Sequence, residues 1–99
     1  MKTVAENDKL TFFPEGKIHT NNAVQLEGEI FDAIKAYGGD NIVFDASKLT
    51  YISSAGLRML LKVQQTKDKP IQIINVSDDV YEVFSVTGFA EFLNVRKRQ

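Results

Sequence analysis

The sequence contains no cysteine, so neither a disulfide frame nor a thiolate metal site is open to it. Its single histidine, His19, cannot assemble a multi-histidine cluster, which weighs against metal catalysis. No apolar run approaches the roughly 20 residues that span a bilayer, so direct membrane insertion is not expected. The opening MKTVAENDKL also lacks the apolar centre of a signal segment, so the expected location is cytoplasmic. Neither sign of charge dominates: 12 Lys and Arg against 13 Asp and Glu leave a net charge of -1, which gives no general attraction to nucleic acid. Proline is scarce as well, with only Pro14 and Pro70, and each stands where the chain should bend or stop a helix. Repeats, low-complexity tracts and linkers are absent too. The rest is an ordinary globular balance, 43% hydrophobic and 25% charged, in 99 residues, which is the size of one domain.

Two short β-type pieces open the chain, Thr3 to Glu6 and Leu10 to Phe13, and the Asn7-Asp8 pair between them predicts a hairpin. Pro14 has no amide donor, so this segment should lie at a sheet edge or bend there, and Gly16 permits a turn before Ile18. His19 to Asn22 form a polar loop that contains natural N-cap residues, His19 itself reading as plain surface, and a helix is expected from about Asn22. Leu26, Ile30, Ile34 and Tyr37 recur about every fourth position, with Phe31 beside them, which predicts an amphipathic helix stopped by Gly38-Gly39. After Pro70, Ile71 to Val76 (IQIINV) reads as a buried strand. Ser77 is placed to cap a short helix with Asp78 and Asp79 at its positive end, Val80, Val83, Phe84 and Thr87 along it, and Gly88 beyond it. Phe89 to Val95 is expected to return as a short edge strand. Arg96-Lys97-Arg98 is expected to be a solvated, frayed tail.

The chain is organised around Asn41 to Asp45 (NIVFD) and Tyr51 to Lys62 (YISSAGLRMLLK), which read as strand, loop, helix. Helical spacing turns Leu57, Leu60 and Leu61 to a core and Arg58 and Lys62 to water. Ser53 and Ser54 fall at the helix start, where a serine oxygen accepts from N–H groups that have no partner inside the helix. As caps they need no further role. A glycine in an exposed helix interior costs about 1 kcal/mol relative to alanine. The missing side chain at Gly56 therefore implies close approach of a neighbouring strand or a flat contact surface for a partner. An enzyme built on Ser54 would need a base and an orienting acid, and His19 is the sole candidate base. With no Gly-x-Ser-x-Gly elbow and no phosphate-binding glycine loop, no catalytic residue, metal or cofactor is assigned, and the chain is expected not to be an enzyme. Strands alternating with helices over short connections predict an α/β domain with helices packed against a small mixed β-sheet.

Asp45 to Leu61, DASKLTYISSAGLRMLL, resembles the STAS domain family, and within it the bacterial anti-sigma factor antagonists. Two further anchors fall in the family's order. Gly16-Lys17-Ile18-His19 stands where the family has a Gly-polar-Leu/Ile-Asp turn, and Ser77-Asp78 with Thr87-Gly88-Phe89 brackets the short late helix. The resemblance implies a single STAS-like domain over residues 1–99 that acts as a non-catalytic phospho-switch. When unphosphorylated, such a domain binds an anti-sigma factor that is also a serine kinase, and so releases the sigma factor for transcription. The kinase modifies the first hydroxyl of the family's Ser-Ser/Thr-Gly element, and a PP2C-type phosphatase reverses the step. By motif position that hydroxyl is Ser54, because Ala55, Gly56 and Leu57 follow it in the family's order. The partner-binding set implied is His19, Thr20, Ser53, Ser54, Ala55, Gly56, Leu57 and Arg58. Two positions depart from the pattern: Ser53 and His19 each stand where the family commonly has Asp. The chain also ends soon after its last expected strand, so the extra C-terminal helix of many relatives is not expected. The resemblance leaves a second role open, an accessory module of a transporter or lipid-transport complex, in which the same turn meets a transporter subunit and Ser54 is never phosphorylated.

Overall fold

The computed structural model describes residues Met1 to Gln99. Strands β1 (Lys2–Glu6) and β2 (Lys9–Phe13) pair antiparallel from Glu6 opposite Lys9, which leaves Asn7 and Asp8 as a two-residue turn. Both turn residues have positive φ, 54° and 59°, the geometry that suits the right-handed twist of a hairpin and that Asn and Asp tolerate. At the buried Pro14 the chain leaves this sheet. Pro14 therefore marks a bend, and β2 itself lies inside the sheet rather than at its edge.

Beyond the bend the structure corrects two expectations. Glu15–Ile18 is a strand, β3, rather than a turn, and it pairs in parallel with Lys48–Ile52, β5, where a loop was expected. The register of this pair shifts just after Gly16, at φ +70°, where Thr50 is the extra residue on β5 and its hydroxyl donates to the Gly16 carbonyl at 3.0 Å. Each strand is too short to declare itself alone, and partners some thirty residues apart in sequence leave no local pattern.

Helix α1 (Thr20–Tyr37) begins two residues before the expected Asn22. His19 caps it with its ring nitrogen, and the Asn22 side chain reaches back to accept from the His19 N–H at 2.8 Å. After β4 (Ile42–Asp45) and β5 come α2 (Ser54–Gln65), β6 (Gln72–Val76) and α3 (Asp78–Val86). Gln64 ties the end of α2 to the start of β6, donating to the Lys69 carbonyl at 3.1 Å and accepting from the Ile71 N–H at 2.7 Å. The strand expected over Phe89 to Val95 is instead a 3-10 turn, Phe89–Glu91, followed by β7 (Asn94–Lys97). β7 takes up two of the three terminal basic residues, and Arg98 donates its N–H to Val76 at 2.8 Å and its guanidinium to the Ser47 carbonyl. The tail is thus an anchored edge, because β6 offers backbone partners that the charge run does not advertise.

The main sheet runs β1-β2-β4-β6-β7, parallel from β2 onward. Each crossover steps the same way across it, so connections of one hand place all three helices on one face. The core lies between. It joins Leu10, Phe12, Ile42, Phe44 and Ile73 of the sheet to Ile30 and Ile34 of α1, Leu57, Leu60 and Val63 of α2, and Val80 and Phe84 of α3. Phe12 and Phe44 stack with centroids 5.0 Å apart. On α2, Met59 and Val63 are buried while Leu61, expected in the core, is half-buried beside Phe89 and Phe92, so the buried stripe is rotated from the one read in sequence.

Candidate functional site

The β3–β5 pair positions the site. Ile18 lies opposite Ile52, and the Ser53 N–H donates to the Ile18 carbonyl at 2.9 Å, so the two parallel strands end level. Helices α1 and α2 therefore start side by side, one capped by His19 and the other by Ser53. The Ser53 hydroxyl accepts from the Gly56 N–H at 3.3 Å, and the Asn22 amide donates to the Lys17 carbonyl at 2.8 Å, which fixes the start of α1 to β3. Thr20 and Ser54 are the first residues of their helices, and both are exposed. An accessible hydroxyl thus stands on a ledge held by two strands and two caps.

Gly56 explains how the ledge stays close to the ribbon beneath it. A Cβ at this position would lie 2.7 Å from Ile52 Cγ1 and 2.8 Å from Ile18 Cγ2, so the first turn of α2 rests directly on the two strand ends. Of the two readings of the missing side chain, this is the close approach of neighbouring strands, and the glycine serves packing within the domain. Leu57 is 1% exposed and points to the core as well. Of the eight residues implied as partner-binding, Gly56 and Leu57 support the surface from below. His19, Thr20, Ser53, Ser54, Ala55 and Arg58 are at least partly exposed on it.

Beside Ser54, between the first turns of α1 and α2, runs a shallow groove of about 200 Å³ with Ala23, Ala55 and Met59 on its floor and Thr20, Arg58 and Lys62 around it. Lys62 is engaged by Glu27 across the groove at 3.3 Å. Val24, 79% exposed, also lines it and was passed over in the sequence, although a valine off the buried stripe of α1 was the available signal. Neither α1 nor α2 has an acid in its first turn, so the positive ends of both helix dipoles are uncompensated by charge. Covalent addition of an anion at Ser54 would therefore be electrostatically favourable within the domain while changing what the surface offers outward.

A parallel-rich sheet with helices on one face and a small-residue helix start on a ribbon describes a recognised family: the STAS domain model matches residues 1–98, and the chain belongs to that family. Among its relatives, a protein of Bordetella bronchiseptica assigned as the anti-sigma factor antagonist BtrV is 34% identical over 84 residues, covering 82% of this chain and 72% of the relative. The anti-sigma-B factor antagonist of Staphylococcus aureus is 26% identical, over 83% of this chain and 78% of its own. The fold coincides with the crystal structure of an anti-sigma factor antagonist from Mycobacterium paratuberculosis, at TM-score 0.85 and 18% identity over 96% of this chain and 82% of that one. It also matches the antagonist SpoIIAA in its unphosphorylated form, at TM-score 0.79 and 16% identity over 95% and 85% of the two chains.

Proposed function

We propose that this chain is an anti-sigma factor antagonist whose unphosphorylated form docks an anti-sigma factor kinase on the surface around Ser54. Docking withholds the anti-sigma factor from its sigma factor, which then directs transcription. The bound kinase transfers the γ-phosphoryl group of ATP to Ser54 Oγ, with loss of the hydroxyl proton and release of ADP. A PP2C-type phosphatase returns the hydroxyl by hydrolysis. The observation that carries this reading is the exposed Ser54 hydroxyl at the first position of α2, on a ledge held by the Ser53 cap and the ends of β3 and β5. A phosphate there adds about 1.5 to 2 negative charges where a partner must otherwise come into close contact. The names of the relatives favour this role over that of a transporter accessory. All of these steps belong in the cytoplasm, and no helix is long and apolar enough to cross a membrane.

The test is to capture partners from the native cytosol with the unmodified chain and with Ser54→Glu, then incubate the captured kinase with ATP and the chain. The unmodified chain should retain an ATP-dependent serine kinase that labels Ser54 and leaves Ser53 unlabelled by fragment-ion mass spectrometry. Undiminished labelling of Ser54→Ala would overturn the site. Retention of transporter subunits in place of a kinase would overturn the role.

A further inference from the structure

Ser54 and Arg58 lie four residues apart on α2, on consecutive turns of one face. Helical side chains lean towards the N-terminus, so the patch covered by Arg58 is the turn that carries Ser54. The order is also the favourable one, with the group that becomes negative preceding the cation. Arg58 is exposed and takes part in none of the five ion pairs of the molecule; its neighbour on the helix, Lys62, is held by Glu27 at 3.3 Å. The other charged or titratable groups around the two helix starts are His19, the cap of α1, Glu27 from α1, Lys17 from β3 and Tyr51 from β5, and no first-turn acid competes for the guanidinium.

We propose that Arg58 takes the phosphate of phospho-Ser54 in cis, an inference that rests on Ser54 being the modified residue. A guanidinium offers parallel N–H donors that match two phosphate oxygens, which an ammonium does not. Modification then changes the docking surface twice: it adds negative charge at Ser54 and withdraws the one unpaired cation of the groove. A partner carboxylate that meets Arg58 in the unmodified state loses its counter-charge at the same moment it meets the phosphate.

The test places phosphoserine at position 54 during translation and follows the second ionisation of the phosphate by ³¹P NMR. A nearby cation favours the dianion, so Arg58→Gln should raise the titration midpoint by about 0.4 pH unit. Arg58→Lys should fall between, and Lys62→Gln, one turn further on, should move it by less than about 0.1. An unchanged midpoint in Arg58→Gln overturns the latch, and so does an equal shift in Lys62→Gln, which would mean diffuse charge rather than a contact. Because the phosphate is installed without a kinase, failure here strikes the latch and leaves the functional reading standing, whereas failure of a kinase to label Ser54 strikes the functional reading on which the latch rests.

Discussion

Helices α2 and α3 are capped alike and differ in the charge of the first turn, which separates the proposed docking surface from a structural end. Ser53 accepts from the Gly56 N–H at 3.3 Å, and Ser77 accepts from the Val80 N–H at 3.2 Å. Each serine carbonyl also receives the N–H four residues on, at 3.0 Å from Leu57 and 2.8 Å from Tyr81. After the cap, however, α3 continues with Asp78 and Asp79 where α2 has Ser54 and Ala55. The acids of α3 meet its dipole within its own first turn, and Asp78 lies 3.9 Å from Lys97 of β7. At α2 the corresponding position is a neutral hydroxyl. Phosphorylation of Ser54, as proposed, would give α2 the charge that α3 carries permanently.

The largest effect is expected beneath the cap, where α2 is built on glycine and α3 on the buried Val80. Replacing glycine by alanine in an exposed helix gains about 1 kcal/mol. At position 56 the sign should reverse, because the new Cβ falls within 2.7 Å of Ile52 and 2.8 Å of Ile18, and overpacking of this kind costs about 1–3 kcal/mol. Gly56→Ala should lower the thermal midpoint by roughly 10 °C, and Gly56→Leu should remove the cooperative transition altogether. Circular dichroism melts of the two variants check this. A fully stable Gly56→Leu protein would mean that the strand ends yield, and the glycine would again be free to serve a partner.

Next comes the charge exchange between the two starts. Ser54→Glu should cut affinity for the captured kinase at least about 100-fold while leaving stability unchanged or raised by about 0.5 kcal/mol, since an acid suits a helix N-terminus. Asp78→Ser should do the reverse, lowering stability by about 0.5 kcal/mol and leaving affinity untouched. Titration calorimetry and thermal melts on both variants read the two quantities independently. Loss of affinity in Asp78→Ser would mean that the docking surface extends over α3.

Most of this contrast could be read before any coordinates. Ser77-Asp78-Asp79 announces a capped, charge-matched helix start, and the run from Ile42 to Asp45 followed by Ser53 and Ser54 places a second cap after a strand. What could not be read is why the second cap forms a ledge. That depends on Ile18 and Ile52 meeting through the β3–β5 pair, and neither Glu15–Ile18 nor Lys48–Ile52 carries enough periodicity to predict a strand without its partner. For the same reason the role of Gly56 was open: helical phase sets it on the face of Leu60 and Val63, but only the meeting of Ile18 and Ile52 below it shows why no side chain fits there. His19 as a cap was equally hidden, because an imidazole accepts through one nitrogen and looks in sequence like any loop histidine. At the C-terminus, three basic residues suggested solvation, whereas the backbone of β6 needed a partner and took it from β7.

The smallest effect should come from making α2 resemble α3 next to the phosphate rather than at it. Ser53→Asp leaves the cap in place, because aspartate accepts from the same N–H about as well as serine does, so stability should hardly move. What changes is the charge beside phospho-Ser54. Two unit charges about 6 Å apart in water repel by about 0.7 kcal/mol, and the phosphate carries nearly two charges, but ionic screening at ordinary salt takes back much of that. The modified state of Ser53→Asp should therefore be less favourable, with phosphate loss to the phosphatase about threefold faster than in the parent chain at low salt. The difference should shrink towards nothing near 1 M salt, where the Debye length falls to about 3 Å. Equal or slower loss in the variant at low salt would show that the neutral Ser53 does not protect the phosphate. A salt-independent difference would assign the effect to altered phosphatase contact instead of repulsion, and the two helix starts would then differ in shape as well as in charge.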